Sequence, residues 1–208
     1  MKVAVSFLSS KHTTGQTIDI INKTSADFIH VDLMDGKFVE NKNINVKMWR
    51  YLQYCEKPLD VHFMVKNPLK YVDHLKGLNV RIIYINYNSY FLNDLEKIRR
   101  KGYRVGLVIN PWDDLELMKK YYPYVDKILV MSVVPGAGGQ SFMMETVDKL
   151  KQIVKYRKDA NLNFTINIDG GINEDTAKLV KNYVDDLVSG SYVCKADDPE
   201  KCIEKLKN

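Results

Sequence analysis

Eight short apolar runs alternate along this chain with polar or amphipathic stretches of helical length, and a last helical stretch closes it. The strand-like runs fall at 2–8, 27–33, 59–65, 80–86, 104–110, 125–131, 163–168 and 185–189. The helical stretches fall at 13–23, 43–54, 68–76, 93–101, 113–121, 140–158, 174–183 and 199–207. Strict alternation implies parallel strands joined by crossover helices. Eight such units predict an α/β fold that closes on itself, a single (β/α)8 TIM barrel spanning 1–208. The competing arrangement is an open doubly wound sheet, which carries a glycine-rich turn after its first strand. Here Leu8 is followed by Ser9-Ser10-Lys11-His12, with no such turn. Proline at Asn67-Pro68, Asn110-Pro111 and Asp198-Pro199 marks helix starts, and Gly77 and Gly102 mark helix ends.

Composition narrows the class of function. The chain is 45% hydrophobic and 27% charged, an ordinary soluble balance. No apolar run approaches the ~20 residues that span a bilayer, so no membrane association is expected. The apolar N-terminus is too short for a signal-peptide core and reads as a first buried strand. The net charge of +5 comes from lysines spread over the helical stretches, with no basic and aromatic stripe to grip nucleic acid. Three cysteines, Cys55, Cys194 and Cys202, lack zinc-motif spacing and are odd in number. They predict a reducing, cytoplasmic setting without a disulfide framework.

The chemistry concentrates at predicted strand ends. Residues i and i+2 of a strand share a face, so His30 projects with Asp32, and Asp60 with His62. Asp169 follows the seventh strand. In a barrel, the strand C-terminal ends share one mouth. Two imidazoles and two carboxylates converging there need a cation or each other, because a buried unpaired carboxylate is too costly to keep charged. That donor set suits one divalent transition metal, Zn, Fe(II), Mn or Co, better than calcium or magnesium. His12 and His74 read as a loop and a helix-surface residue. Met34 and Met64 each follow a proposed ligand by two positions; spacing alone leaves open whether they line the mouth or simply pack. Glycines recur in three successive late loops: Pro135-Gly136-Ala137-Gly138-Gly139-Gln140, Gly170-Gly171 and Gly190-Ser191. Backbone N–H groups in such loops approach an anion closely, which favours a phosphate cradle.

These segments resemble the signatures of the ribulose-phosphate 3-epimerase family. The match is carried by His30-Val31-Asp32-Leu33-Met34-Asp35-Gly36-Lys37-Phe38-Val39 and Leu59-Asp60-Val61-His62-Phe63-Met64-Val65. It continues through Met131-Ser132-Val133-Val134-Pro135-Gly136-Ala137-Gly138-Gly139-Gln140-Ser141-Phe142 and Asp169-Gly170-Gly171-Ile172-Asn173. The resemblance implies an isomerase of carbohydrate metabolism, in the pentose phosphate pathway, that interconverts D-ribulose 5-phosphate and D-xylulose 5-phosphate. It implies metal ligands at His30, Asp32, His62 and Asp169, with Asp32 and Asp169 also the catalytic acid/base pair working through an enediolate. It places Ser6, His62, Met34 and Met64 around the substrate, and Gly138, Gly139, Gly170, Gly171, Gly190 and Ser191 around its phosphate. The expected partner is a small ketose phosphate, and the expected assembly a homo-oligomer.

Several positions depart from the family pattern. Asn86-Tyr87-Asn88 stands where the family has His-x-Glu; Val5, Ala137 and Asn167 replace a proline, a phenylalanine and an acidic residue. Asn86 and Asn88 are expected to face the mouth and to weaken outer support of the metal by about one to two powers of ten. The departures keep two alternatives in play: a 3-epimerase of a related ketose phosphate such as allulose 6-phosphate, and a barrel that binds metal or sugar phosphate without turnover.

Overall fold

The computed structural model describes residues 1–88 and 90–208. Eight parallel strands close into a barrel in sequence order. They are β1 (Lys2–Ser6), β2 (Phe28–Met34), β3 (Leu59–Met64), β4 (Val80–Asn86), β5 (Val105–Ile109), β6 (Lys127–Met131), β7 (Thr165–Asp169) and β8 (Asp186–Ser189). The helices are α1 (Thr14–Asn22), α2 (Val46–Leu52), α3 (Leu69–Val72), α4 (Phe91–Arg100), α5 (Leu115–Met118), α6 (Thr146–Asp159), α7 (Glu174–Val180), α8 (Ser191–Cys194) and α9 (Pro199–Lys207). No helix among the described residues is long and apolar enough to cross a membrane.

Alternation along each strand sorts the side chains into two cores. Val3, Val5, Ile29, Val31, Leu33, Val61, Phe63, Ile83, Ile85, Leu107 and Ile109 point outward and pack under the helices. Ala4, Phe28, Ile82, Tyr84, Val108, Leu129, Met131 and Val188 form a separate cluster inside the barrel. His30, Asp32, His62 and Asp169 have the inward parity.

Local chemistry sets the helix boundaries. Thr13 and Gln16 form a reciprocal cap on α1, Asn45 accepts from the Met48 N–H, and Asn173 accepts from Asp175 and Thr176 at α7. Gly77 and Gly102 carry φ of 85° and 89°, the left-handed turn expected after a helix. Several expected helices are shorter in their α-helical part. The stretches 68–76 and 113–121 each begin as one α-turn and tighten into 3₁₀ turns, Asp73–Leu75 and Lys119–Tyr124. Pro123, inside the second, cannot donate to an α-helical ladder. The stretch 140–158 becomes helical only at Thr146. Its first residues complete the β6–α6 loop, with Gln140 Nε2 donating to the Val134 and Ala137 carbonyls at 2.7 and 2.6 Å. The short helix α8 was not foreseen.

The lower barrel holds a buried ionic network. The β3–β4 register jumps from Leu59↔Val80 to Asp60↔Ile82, leaving Arg81 without a partner residue on β3. Such a bulge re-aims a side chain. The Arg81 guanidinium reaches both Asp60, whose side chain is fully buried, and Asp186 Oδ2 at 3.0 Å. Lys127 also pairs with Asp186, and Asn167 Nδ2 donates to the Tyr84 hydroxyl at 2.7 Å. Replacing Arg81 by methionine strands the Asp60 charge, and losing one partner of a buried pair costs about 3–5 kcal/mol. Because the Arg81 side chain retains 19% exposure, a loss near the lower end of that range is expected. The denaturant midpoint should fall accordingly at unchanged slope; a loss below ~1 kcal/mol contradicts the assignment.

Candidate active site at the C-terminal mouth of the barrel

Strand register assembles the site. Asp32 stands beside His62 across β2–β3, and Ser6 beside His30 across β1–β2. Asp169 ends β7, three strand positions from β2 around the closed ring. One donor atom from each of His30, Asp32, His62 and Asp169 lies within 4.8 Å of all the others. His62 Nδ1 is 3.2 Å from Asp32 Oδ1. His30 Nε2 is 3.4 Å from Asp32 Oδ1 and 3.6 Å from Asp169 Oδ2. Ser6 Oγ donates to the other Asp32 oxygen at 2.8 Å.

The donors fit a metal. Ligand atoms about 2.1 Å from a common ion lie roughly 3–4 Å apart, the spacing seen between these pairs. Both ring nitrogens of His30 and Nε2 of His62 are buried without a hydrogen-bond partner. Buried polar atoms normally have partners, so three orphans in one cluster call for an explanation. An ion bound through His30 Nε2 and His62 Nδ1, the atoms that face Asp32, answers for one of them, His30 Nε2.

The four side chains polarise one another. Burial works against charge on His30, but Asp32 and then Asp169 outweigh it and raise its pKa to about 9. Burial likewise opposes charge on Asp32, yet His30 and His62 hold it well below the usual carboxylate range. His62 is pushed down, chiefly by burial. Burial lifts Asp169 to about 7, opposed by His30 and reinforced by the Asp32 charge. The two carboxylates thus occupy contrasting environments, the pattern expected of an acid/base pair.

Above this cluster a cleft encloses about 520 Å³, its open mouth included. Asp32 and Asp169 form part of its floor, and Ser6 and Met64 line it. Gly138, Gly139, Gly170, Gly171, Gly190 and Ser191 wall the rest, so all three glycine loops meet at one place. Met34 is buried and does not line this cleft. The chain after β2 folds back there: the Asn43 and Ile44 N–H groups donate to the Met34 carbonyl.

Three asparagines and a serine make contacts that their sequence positions do not announce. Asn86 is buried and faces inward, but its Nδ2 donates to the Phe63 carbonyl at 3.0 Å and its Oδ1 accepts from Asn110. It steadies the end of β3 beside His62, and among the described residues it hydrogen-bonds to no proposed ligand side chain. Asn88 turns away from the cleft, and its Oδ1 accepts from the Tyr90 N–H at 2.7 Å. Asn88, which lies past the end of β4, does not face the metal ligands as expected, whereas Asn86 keeps the inward face but bonds to the Phe63 carbonyl and Asn110. Asn43, read as a helix start, instead clasps β2: it donates to the Asp32 carbonyl and accepts from the Met34 N–H. Ser132 Oγ donates to the Asp169 and Gly170 carbonyls at 3.0 and 2.6 Å, fixing the end of β7. Nothing in periodicity marks Asn43; Ser132 lies inside a quoted signature, which is the one signal that could have drawn notice to it. Asp60 shares the His62 face but sits one layer deeper, roughly 6.6 Å back along the strand, where Arg81 claims it.

Comparisons with known proteins bear on the family and the fold. The sequence model of the ribulose-phosphate 3 epimerase family matches residues 2–194. The ribulose-phosphate 3-epimerase of Aquifex aeolicus is 33% identical over 198 residues, covering 93% of this chain and 89% of that protein. That of Helicobacter pylori strain J99 is 36% identical over 214 residues, covering 100% of this chain and 97% of the other. Among solved structures, 3-hexulose-6-phosphate synthase from Salmonella typhimurium superposes with a TM-score of 0.71 at 17% identity, covering 99% and 96% of the two chains, a likeness of fold. With a family match over most of its length and relatives at a third identity end to end, the chain belongs to the ribulose-phosphate 3-epimerase family of isomerases.

Proposed function

We propose that this protein epimerises C3 of a ketose phosphate, D-ribulose 5-phosphate to D-xylulose 5-phosphate. The observation that carries the reading is the pair Asp32 and Asp169, held in one four-residue cluster and both lining the cleft that the glycine loops wall. Epimerisation beside a carbonyl needs a base on one face of the carbon and an acid on the other. One aspartate takes the C3 proton, the other returns a proton to the opposite face, and the roles exchange with direction. His30, Asp32, His62 and Asp169 would hold a divalent transition metal, which supplies Lewis acidity toward the oxygens of the enediolate. Ser6 fixes the orientation of Asp32 through its 2.8 Å hydrogen bond. Met64 lines the same cleft as a dry wall beside the reacting carbons.

Phosphate recognition follows from the loops. Gly139, Gly170 and Gly171 have φ of 76°, 116° and 63°, backbone that side-chain-bearing residues rarely adopt. Their N–H groups can approach an anion without a Cβ in the way. Hydrogen bonds to a charged group contribute about 1.5–3 kcal/mol each, so losing two of them lowers kcat/KM by roughly 10²–10⁴. Unphosphorylated ribulose is expected to show a loss of that size; equal rates with both sugars refute the cradle. Gly138→Val is a blunter probe, because a Cβ there would stand 1.7 Å from Ser9 Oγ and displace the β1–α1 loop.

The deciding experiment is a panel of ketose phosphates incubated in D₂O. Deuterium entering C3 of ribulose 5-phosphate with net conversion supports the main reading. Preference for a six-carbon ketose phosphate supports the related-substrate alternative, toward which the small Ala137 on the cleft wall points. No exchange with any member leaves only binding. The same reading includes a reducing cytoplasmic setting, in keeping with three free cysteines. It also includes a homo-oligomer, which light scattering on the purified protein tests.

A further inference from the structure

We propose that Lys195 is the cation that pairs with the substrate phosphate; this rests on the reading of the glycine loops as a phosphate cradle. A phosphate ester carries about −1.5 to −2 charge near neutrality. Yet among the described residues the only charged side chains lining the main cleft are Asp32 and Asp169, and neither Lys nor Arg lines it. Neutral backbone donors alone would have to draw a dianion into a cleft floored by two carboxylates.

Lys195 supplies the missing sign. Its Nζ lies 3.8 Å from the position that a Cβ would take on Gly139, so the ammonium sits over the β6–α6 glycine loop. It lines an adjoining cleft together with Gly139, Gln140, Gly171 and Ser191, four residues that also wall the main one. The two clefts therefore share a wall of glycine-loop residues, and Lys195 lines the second of them. The short helix α8 creates this placement: its last turn closes with the Lys195 N–H donating to the Ser191 carbonyl at 3.1 Å. The chain thereby carries Lys195 back beside the loop following β6. Its ammonium is also uncommitted. Lys178 and Lys205 both pair with Glu174, and Lys11 with Asp197. Among the described residues no ion pair involves Lys195. A lysine is a mobile point charge on a flexible stem, suited to following a phosphate as it enters.

The test is phosphate binding by the metal-loaded protein, followed by calorimetry with inorganic phosphate at constant ionic strength, chloride serving as the control anion. Lys195→Gln should weaken phosphate binding about tenfold, the scale of one charge-assisted hydrogen bond at a partly exposed site. Lys195→Arg should restore it to within about threefold, because charge and donors are retained. In turnover, Lys195→Gln should raise KM for the ketose phosphate, keep kcat within about twofold, and leave kcat/KM for unphosphorylated ribulose unchanged, as for a group that binds phosphate in ground and transition states alike. Equal phosphate affinity in wild type and Lys195→Gln overturns the role of Lys195 and leaves the cradle standing. Absence of phosphate binding in the wild type overturns both.

Discussion

Replacing Asp169 by asparagine should lower kcat by at least the ~10²–10⁴-fold of a lost general acid/base group, and the same change at Asp32 should do likewise. The substitution keeps volume and shape while removing the proton-accepting charge. At Asp169 it also removes the group whose pKa burial has lifted to about 7, so the folded barrel should tolerate it well. At Asp32 the amide oxygen can still accept from Ser6, which now donates to the carboxylate at 2.8 Å. Each aspartate is also a proposed ligand, so metal content must be measured alongside turnover. With metal retained, the missing base should appear as loss of deuterium exchange at C3 together with loss of epimerisation. Near-wild-type turnover in either variant, metal confirmed, removes that residue from the acid/base pair.

Chelation should abolish turnover and lower stability together. A ligand that binds only the folded state stabilises by about 4 kcal/mol when present at a thousand times its Kd. Retention of the metal should depend steeply on pH. Metal ligands must shed their protons before they bind. Left to themselves, His30 holds its proton up to about 9 and Asp169 up to about 7. Protons therefore compete with the ion. Affinity should fall up to about tenfold per pH unit between 9 and 7, where His30 alone competes, and up to about a hundredfold per unit below 7, where both do. Elemental analysis after dialysis at pH 9, 7.5 and 6 measures this, with retention expected to decrease in that order. Full activity in metal-free protein, or retention that rises as pH falls, contradicts the proposed site.

The contrast between Asp60 and Asp169 shows where the sequence stops informing. Both are carboxylates on the inward face of a strand, and Asp60 stands only two residues from a proposed ligand. Side-chain alternation has a period of two and settles the face with confidence; it carries no information about height along the barrel axis relative to other strands. Register pairs Asp32 with His62 and Asp60 with His30; Asp60 is excluded from the cluster not by its level but because Arg81 takes its carboxylate. The bulge that aims Arg81 at Asp60 is a property of two strands together and has no mark in either one alone.

The strands, their order and the chemical character of the mouth were legible in the chain, because apolar alternation and turn residues act over a few positions and the ligand types announce their chemistry wherever they stand. The paths of the loops were not. Asn88 turns outward, Asn43 clasps β2, Ser132 secures Asp169, and Lys195 comes to lie over Gly139, a residue 56 positions earlier in the chain. Each placement is decided by hydrogen bonds and packing between segments distant in sequence. Those interactions exist only once the barrel has closed, and so tertiary structure alone determined which inward-facing groups meet, and which of them can serve one site.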